Sequence, residues 1–303
     1  MPAARRATAK PAAETAEIAG VRLTHPDKVL YPEQGITKRD LAAYYEAVAP
    51  AMLPHVADRP ITLVRCPTGR RSKCFYQRHA GSGVPASLSR VTVPGLETSG
   101  AYLYLRDATG LVSLVQLGVL EIHPWGVRVD EPTRPDRVIL DLDPGEGLAF
   151  SDVVAAARDV RRELEEAGLV CFVKTTGGKG LHVVAPLTRD HEWPQVKAFA
   201  RAMANRLGER EPDRFLTRIA KAERVGRIFI DYLRNDATST AVAPYSSRAR
   251  EGAPVATPLE WDELRPGLDP AAFNVRTIPD RLKTKGDPWA DIARAARPLP
   301  RAP

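Results

Sequence analysis

Cysteine is scarce. Cys66, Cys74 and Cys171 are the only three in 303 residues. An odd, sparse set with no CxxC pair argues against a disulfide framework and against structural zinc. The three read as small core residues or bystanders in a reducing cytosol. Long apolar runs are missing as well. None reaches the roughly 20 residues that cross a bilayer, and the N-terminus lacks the apolar stretch of a secretory signal. Acidic residues are also in short supply, with 37 Asp and Glu against 44 Lys and Arg, a formal charge of +7. That surplus suits a polyanionic partner, because neutralising phosphates releases condensed counterions. Many basic soluble proteins nevertheless bind no nucleic acid, so charge alone does not name the partner.

What is present is enough apolar sequence, 44% of residues, for one large domain or two closely joined ones. Residues 1–18 read as a disordered basic tail and residues 291–303 as a flexible C-terminal tail, both rich in Ala, Arg and Pro. Residues 19–290 read as one globular region without repeats or a linker. Thr37, followed by Asp40, reads as a helix start with a capping box. Leu41, Tyr44, Val48 and Met52 recur at helical spacing, and Pro50 is expected to kink or end that helix. Residues 61–65, 102–105, 138–143 and 227–233 read as strands, and residues 69–80 as a basic loop. Residues 111–120 are apolar enough for a buried helix or strand, and periodicity does not decide between them. A helix opens at Ser151 and stops at Gly168, a hairpin follows over 169–187, and another helix covers about 194–207. This order predicts an α/β or α+β fold on a mainly antiparallel central sheet flanked by helices.

Asp141 and Asp143 lie two residues apart on a predicted strand, so their side chains leave the same face. Pro144 and Gly145 end the strand at once. Two acids this close repel, and a divalent cation is the ordinary relief. Asp231 closes another short apolar strand; if that strand pairs beside the first, three carboxylates converge. Hard oxygen ligands suit Mg²⁺ or Mn²⁺. The plainer alternative is a turn cap or a surface feature.

The run Lys174-Thr-Thr-Gly-Gly-Lys-Gly-Leu-His182 forms the second constellation. Its glycines let backbone N–H groups face an anion, and Lys179 adds charge. The Walker A spacing is absent, and a strand rather than a helix follows. A solvated hairpin tip is the competing reading. Arg234 and Arg248 could clamp phosphates, but position alone does not single them out in a chain this rich in arginine. His123, between Ile122 and Pro124, reads as a hydrogen-bonded core histidine.

Taken in order, six segments carry a family resemblance: Leu23-Thr-His-Pro-Asp-Lys-Val-Leu-Tyr-Pro32, Glu121-Ile-His-Pro-Trp125, Leu140-Asp-Leu-Asp-Pro144, Thr176-Gly-Gly-Lys-Gly-Leu-His182, Ile230-Asp-Tyr-Leu-Arg-Asn235 and Val242-Ala-Pro-Tyr-Ser-Ser-Arg248. Over residues 20–290 the chain resembles the polymerase domain of bacterial ATP-dependent DNA ligase D. That domain belongs to the archaeo-eukaryotic primase superfamily and serves non-homologous end joining. The resemblance implies a primase-like catalytic fold and template-guided addition of NTPs or dNTPs to a primer 3′-hydroxyl. It implies two ions, Mn²⁺ favoured over Mg²⁺, on Asp141, Asp143 and Asp231, and a preference for ribonucleotides.

His123, Thr176, Lys179, His182, Arg234 and Arg248 match positions around the incoming nucleotide. His25, Lys28 and Lys38 match the pocket for a 5′-phosphate across a gap or break. Tyr76 matches an aromatic that stacks on the template, and Arg65 and Arg224 match further DNA contacts. The implied partners are broken or gapped DNA, Ku and a separate ATP-dependent ligase, with no membrane, in the cytoplasm at the nucleoid. The family's glycine turn often reads Ser-Gly-Ser-Lys-Gly; Gly178 therefore lacks a hydroxyl. Nothing resembles the ligase's lysine motif, and the start and tail read as those of a free-standing homologue. A non-catalytic end-bridging module and a de novo primase are the alternative functions.

Overall fold

A computed structural model describes residues 15–96, 100–218, 223–265 and 267–301. The chain opens with two hairpins, β1 (Thr15–Ile18) with β2 (Val21–Thr24) and β3 (Val29–Tyr31) with β4 (Ile36–Thr37). Helix α1 (Lys38–Val56) follows, then β5 (Ile61–Arg65), β6 (Phe75–Gln77), β7 (Ser89–Val91), β8 (Tyr102–Tyr104), α2 (Ala108–Gln116) and β9 (Val119–Pro124). The second half runs β10 (Arg137–Pro144), α3 (Phe150–Glu166), β11 (Phe172–Thr175), β12 (Leu181–Pro186) and α4 (Trp193–Arg210). It ends with β13 (Phe215–Leu216), β14 (Ile228–Asp231), β15 (Pro258–Leu259) and α5 (Ile278–Lys285).

Two sheets organise these elements. The larger has the order β13-β14-β10-β12-β11-β15, and the smaller is β6-β5-β8-β7 with β9 also paired to β5. Every pair of named strands is antiparallel except β13 with β14, so the expected mixed fold on a mainly antiparallel sheet is what the chain adopts. Helices α3 and α4 pack on the larger sheet. Val153, Ala157, Val160 and Leu164 of α3 and Val196, Phe199 and Met203 of α4 are buried there among Val138, Leu140 and Val183. Among the described residues no helix is long and apolar enough to cross a membrane.

Local chemistry sets several boundaries. Thr37 and Asp40 form the expected reciprocal cap: Asp40 N donates to Thr37 Oγ1 at 3.2 Å and Thr37 N donates to Asp40 Oδ2 at 2.8 Å. Helix α1 does not stop at Pro50; it passes both Pro50 and Pro54. Its buried stripe of Leu41, Tyr45, Val48, Met52 and Val56 continues past the first proline, and that packing outweighs the lost backbone donor. Residues 111–120 prove to be both things, the end of α2 and the start of β9, with Gly118 at φ +77° between them.

Four expectations are corrected. Residues 75–77, read as part of a basic loop, form β6 against β5. That pairing sets Arg65 opposite Phe75, so Cys66 and Cys74 meet at the next position and form a disulfide; only Cys171 is a free, buried thiol. The N-terminal tail is expected to run to residue 18, but Thr15–Ile18 pairs in register with Val21–Thr24; residues 1–14 lie outside the described part. The C-terminal stretch also docks. Thr188 N donates to the Arg297 carbonyl at 3.0 Å and Arg297 N donates to the Pro186 carbonyl at 3.3 Å, which adds a short parallel bridge beyond the end of β12.

Candidate active site

The site begins at the end of β10. Val138, Leu140 and Leu142 enter the core, and Asp141 and Asp143 leave the other face. β14 lies antiparallel beside it in a register that sets Asp231 directly opposite Asp141. Three acids distant in sequence thus share one face near one end of the strand pair. Gly145 makes the crossing behind them feasible, because a Cβ there would stand 1.6 Å from the Arg224 carbonyl oxygen. That close approach brings Arg224 Nη1 to within 2.9 Å of Asp143 Oδ2.

Arg234, one turn beyond β14, bridges the facing pair: Nη2 is 2.9 Å from Asp231 Oδ2 and Nε is 3.3 Å from Asp141 Oδ2. Asn235 secures that turn. Its side chain accepts from Ile139 N at 2.8 Å and donates to the Ile139 carbonyl at 2.7 Å, as an extra strand would. Burial pushes the Asp143 and Asp231 carboxyls above their usual range, and the Asp141 charge adds to it. For Asp141 burial is outweighed by His182, Arg234 and Lys174, which hold it low. Three hard-oxygen donors, two of them penalised for their charge, are a donor set that Mg²⁺ or Mn²⁺ fits. Among the described residues no three His, Cys, Asp or Glu side chains close on one point; the acids turn to Arg224 and Arg234 instead.

The adjoining wall is the β11–β12 turn. Thr176 N and Oγ1 both donate to the Gly180 carbonyl at 3.1 Å. A Cβ on Gly180 would stand 2.4 Å from the Leu142 carbonyl oxygen, so the turn packs directly on the end of β10. Gly177 has φ +66°, and a Cβ there would stand 2.6 Å from Arg248 Cγ. Arg248 therefore lies across the turn, its Nη1 donating to the Thr176 carbonyl.

The segment carrying Arg248 is stitched to β9. Ile122 N donates to Ser246 Oγ at 2.9 Å, and Ser247 Oγ donates to the Leu120 carbonyl at 2.7 Å. This docking explains the two serines before Arg248. It also delivers Arg248 Nε to Glu121 Oε2 at 2.9 Å, the same oxygen that lies 2.8 Å from His123 Nε2. Ala249 N donates to the other carboxylate oxygen at 2.9 Å. Burial would raise the Glu121 carboxyl, but the His123 hydrogen bond and the Arg248 charge outweigh it and hold it at about 2. Glu121 thus orients two of the expected nucleotide-site residues. It was missed in the sequence, although Glu121 and His123 share the period-two face of one strand.

The walls enclose a cleft of about 580 Å³. Of the residues expected at a site, Tyr76, His123, Asp141, Asp143, Thr176, Lys179, His182, Arg234 and Arg248 line it. Arg78 and Arg250, not singled out in the sequence, line it too. A Cβ on Gly178 would stand 2.7 Å from Arg250 Nη1, so the space left by the missing side chain is where the Arg250 guanidinium lies. His25 and Lys28 line a different cavity of about 490 Å³. Lys38 lies buried close by, Nζ donating to the Thr24 carbonyl at 2.7 Å; burial and then the Lys28 charge depress its pKa. Arg65 stays outside the cleft and donates to the Leu117 carbonyl at 3.0 Å and to Gln77 Oε1 at 2.8 Å. Tyr76 is 72% exposed at the rim.

Residues 37–289 match the family model described as LigD, primase-polymerase domain. The multifunctional non-homologous end joining protein LigD of Pseudomonas aeruginosa is 38% identical over 300 residues, covering 96% of this chain and 34% of that protein. The bifunctional non-homologous end joining protein LigD of Bacillus subtilis is 29% identical over 276 residues, covering 90% and 44%. The chain thus spans about a third of the length of the first relative and under half of the second. Among solved structures, the polymerase domain from Mycobacterium tuberculosis ligase D in complex with DNA matches with a TM-score of 0.85 at 36% identity. That match covers 91% of this chain and 99% of the other.

Proposed function

The chain belongs to the LigD primase-polymerase domain family, and from that premise we propose that it fills DNA ends and gaps by template-guided nucleotide addition during non-homologous end joining. The observation that carries this reading is the facing pair Asp141 and Asp231, with Asp143 on the same face, where Asp141 and Asp143 line one cleft with Lys179, Arg248 and Arg250. Acids and cations lining one cleft suit a metal–triphosphate, which carries charge of both signs.

In this reading Asp141, Asp143 and Asp231 would hold two Mn²⁺ or Mg²⁺ ions, which supply activation of the 3′-hydroxyl and stabilisation of the leaving pyrophosphate. Lys179, Arg234, Arg248 and the 176–180 turn bind and orient the triphosphate. His123 and His182 contact the nucleotide, and ribonucleotides are preferred. His25, Lys28 and Lys38 take the downstream 5′-phosphate, which sets register without reading sequence. Tyr76 stacks on the template strand, and Arg65 and Arg224 contact DNA nearby. Ku and an ATP-dependent ligase are the expected partners, in the cytoplasm at the nucleoid. The relative seen in complex with DNA lends the DNA-facing part its support.

The test is extension of a gapped duplex, with and without its 5′-phosphate, using each nucleotide type and each metal. Asp141→Ala with Asp143→Ala is expected to abolish addition; retained activity would sink the metal assignment. Lys28→Ala is expected to erase the advantage of the phosphorylated gap. A chain that binds phosphorylated ends yet never incorporates would point to an end-bridging module instead.

A further inference from the structure

Four side chains stand in one row across the larger sheet. Asp231 faces Asp141, Asp141 faces His182, and His182 faces Lys174, each a direct cross-strand partner of the next. The first two are the acids already described, and His182 Nε2 lies 3.4 Å from Asp141 Oδ1. The fourth has no role in the reading above. Lys174 is 2% exposed, and the one hydrogen bond of its side chain among the described residues is a 3.4 Å contact with the Thr175 carbonyl. Burial lowers the Lys174 pKa to about 7, and charged or neutral its N–H groups still need hydrogen-bond partners.

Beside the cleft, and sharing His182 with it, is a small cavity of about 20 Å³ whose lining includes His182, Lys174, Trp125 and Arg137. His182 Nδ1 and Trp125 Nε1 are both buried with no partner in the protein. A single water needs about 10–15 Å³ and two to four polar partners. The volume is of that size, and three of the residues along its lining carry such nitrogens.

We propose that this cavity is a structural water site, and that Lys174 and Trp125 act through it as positioning residues that fix the tautomer of His182. The water accepts from Lys174 Nζ and from Trp125 Nε1, and donates to His182 Nδ1. Nδ1 therefore carries no hydrogen, and the single ring proton of neutral His182 sits on Nε2, facing Asp141 and the cleft. Asp141 Oδ1, 3.4 Å from Nε2, favours the same tautomer; without the relay that long contact acts alone, and part of the rings take the Nδ1–H form. The consequence for catalysis rests on the nucleotide-addition reading: His182 meets the nucleotide as a donor. The tautomer itself does not depend on that reading.

The measurement is the ¹⁵N signature of the histidine rings in the full chain without nucleotide or metal. The spectra are read at about pH 7.5, above the ordinary imidazole range. The Nε2–H form is expected in the unmodified protein, and a mixture of tautomers in Lys174→Met and in Trp125→Phe. Lys174→Gln, which keeps a donor, is expected to restore the Nε2–H form. In extension assays the Met and Phe variants are expected to raise the nucleotide KM about 10-fold with a smaller change in kcat, as for lost outer hydrogen-bond partners. An Nδ1–H ring in the unmodified protein overturns the proposal and needs no variant to be folded. An unchanged tautomer in both folded variants overturns it as well. A chain with the expected tautomers and no polymerase activity would sink the functional reading alone.

Discussion

Asp141 and Asp231 face each other across adjacent strands, and one guanidinium, that of Arg234, is ion-paired with both. The arrangement is not optimised for stability. Burial and the Asp141 charge lift the Asp231 carboxyl above its ordinary range, so its ionised form is disfavoured in the folded chain. Asp231→Asn keeps the oxygen that accepts from Leu233 N at 2.9 Å and removes the charge. Thermal unfolding is expected to show a stabilisation of about 1 kcal/mol, in the range of such trade-offs between stability and function. Nucleotide addition is expected to fall by about 100-fold or more, with weaker Mn²⁺ binding by calorimetry. A variant that is both less stable and equally active would contradict the assignment of Asp231 to the metal site.

Glu121 gives a prediction of opposite sign. It is buried and accepts from Arg248, Ala249 N and the His123 ring. Glu121→Gln leaves Arg248 without its carboxylate, and breaking one side of such a buried pair costs about 3 kcal/mol. Urea unfolding should register that loss. Because His123 and Arg248 both lose their anchor, the nucleotide KM is expected to rise as well. A stability loss with unaltered nucleotide affinity would reduce Glu121 to a structural residue.

How much of this was legible in the sequence depends on the kind of relationship. Asp141 and Asp143 announce themselves because strand periodicity places i and i+2 on one face whatever the rest of the chain does. Asp231 needed only the assumption that its strand pairs beside the first. Relationships set by register or by long-range docking were not legible. Cys66 and Cys74 meet because Arg65 pairs with Phe75, and a three-residue strand is too short to show alternation. Glu121 matters because residues 246–249 fold back onto β9, and no local pattern reports that. Arg250 was hidden among the chain's many arginines until Gly178 was seen to leave room for it.

That pair supports a double-mutant cycle. The atom that a Cβ at residue 178 would meet is the far end of a flexible side chain, so Gly178→Ala should cost less than about 1 kcal/mol of stability. It should displace Arg250 from the cleft and raise the nucleotide KM. Arg250→Ala should raise KM to a similar extent. Because both changes remove the same contact, the double variant should be no worse than either single one. Additive effects would show that Gly178 and Arg250 act separately.

His55 makes acid sensitivity testable away from the cleft. It is 2% exposed, in edge contact with Trp289. Burial, reinforced by Arg137, Arg59 and Lys174, pushes its pKa down to about 3. The unfolded chain would titrate it near 6.5. Between those two values the unfolded state binds more protons, so stability falls as pH falls through that window. From about pH 7 to about pH 5 the loss from this one group is about 2 kcal/mol. Other buried groups, His182 among them, contribute acid sensitivity of their own, so the comparison must be between variants. His55→Gln cannot take up the proton, whatever it does to stability overall. Urea unfolding at the two pH values should show the parent losing about 2 kcal/mol more than His55→Gln; equal losses would mean that His55 stays accessible to protons in the folded chain.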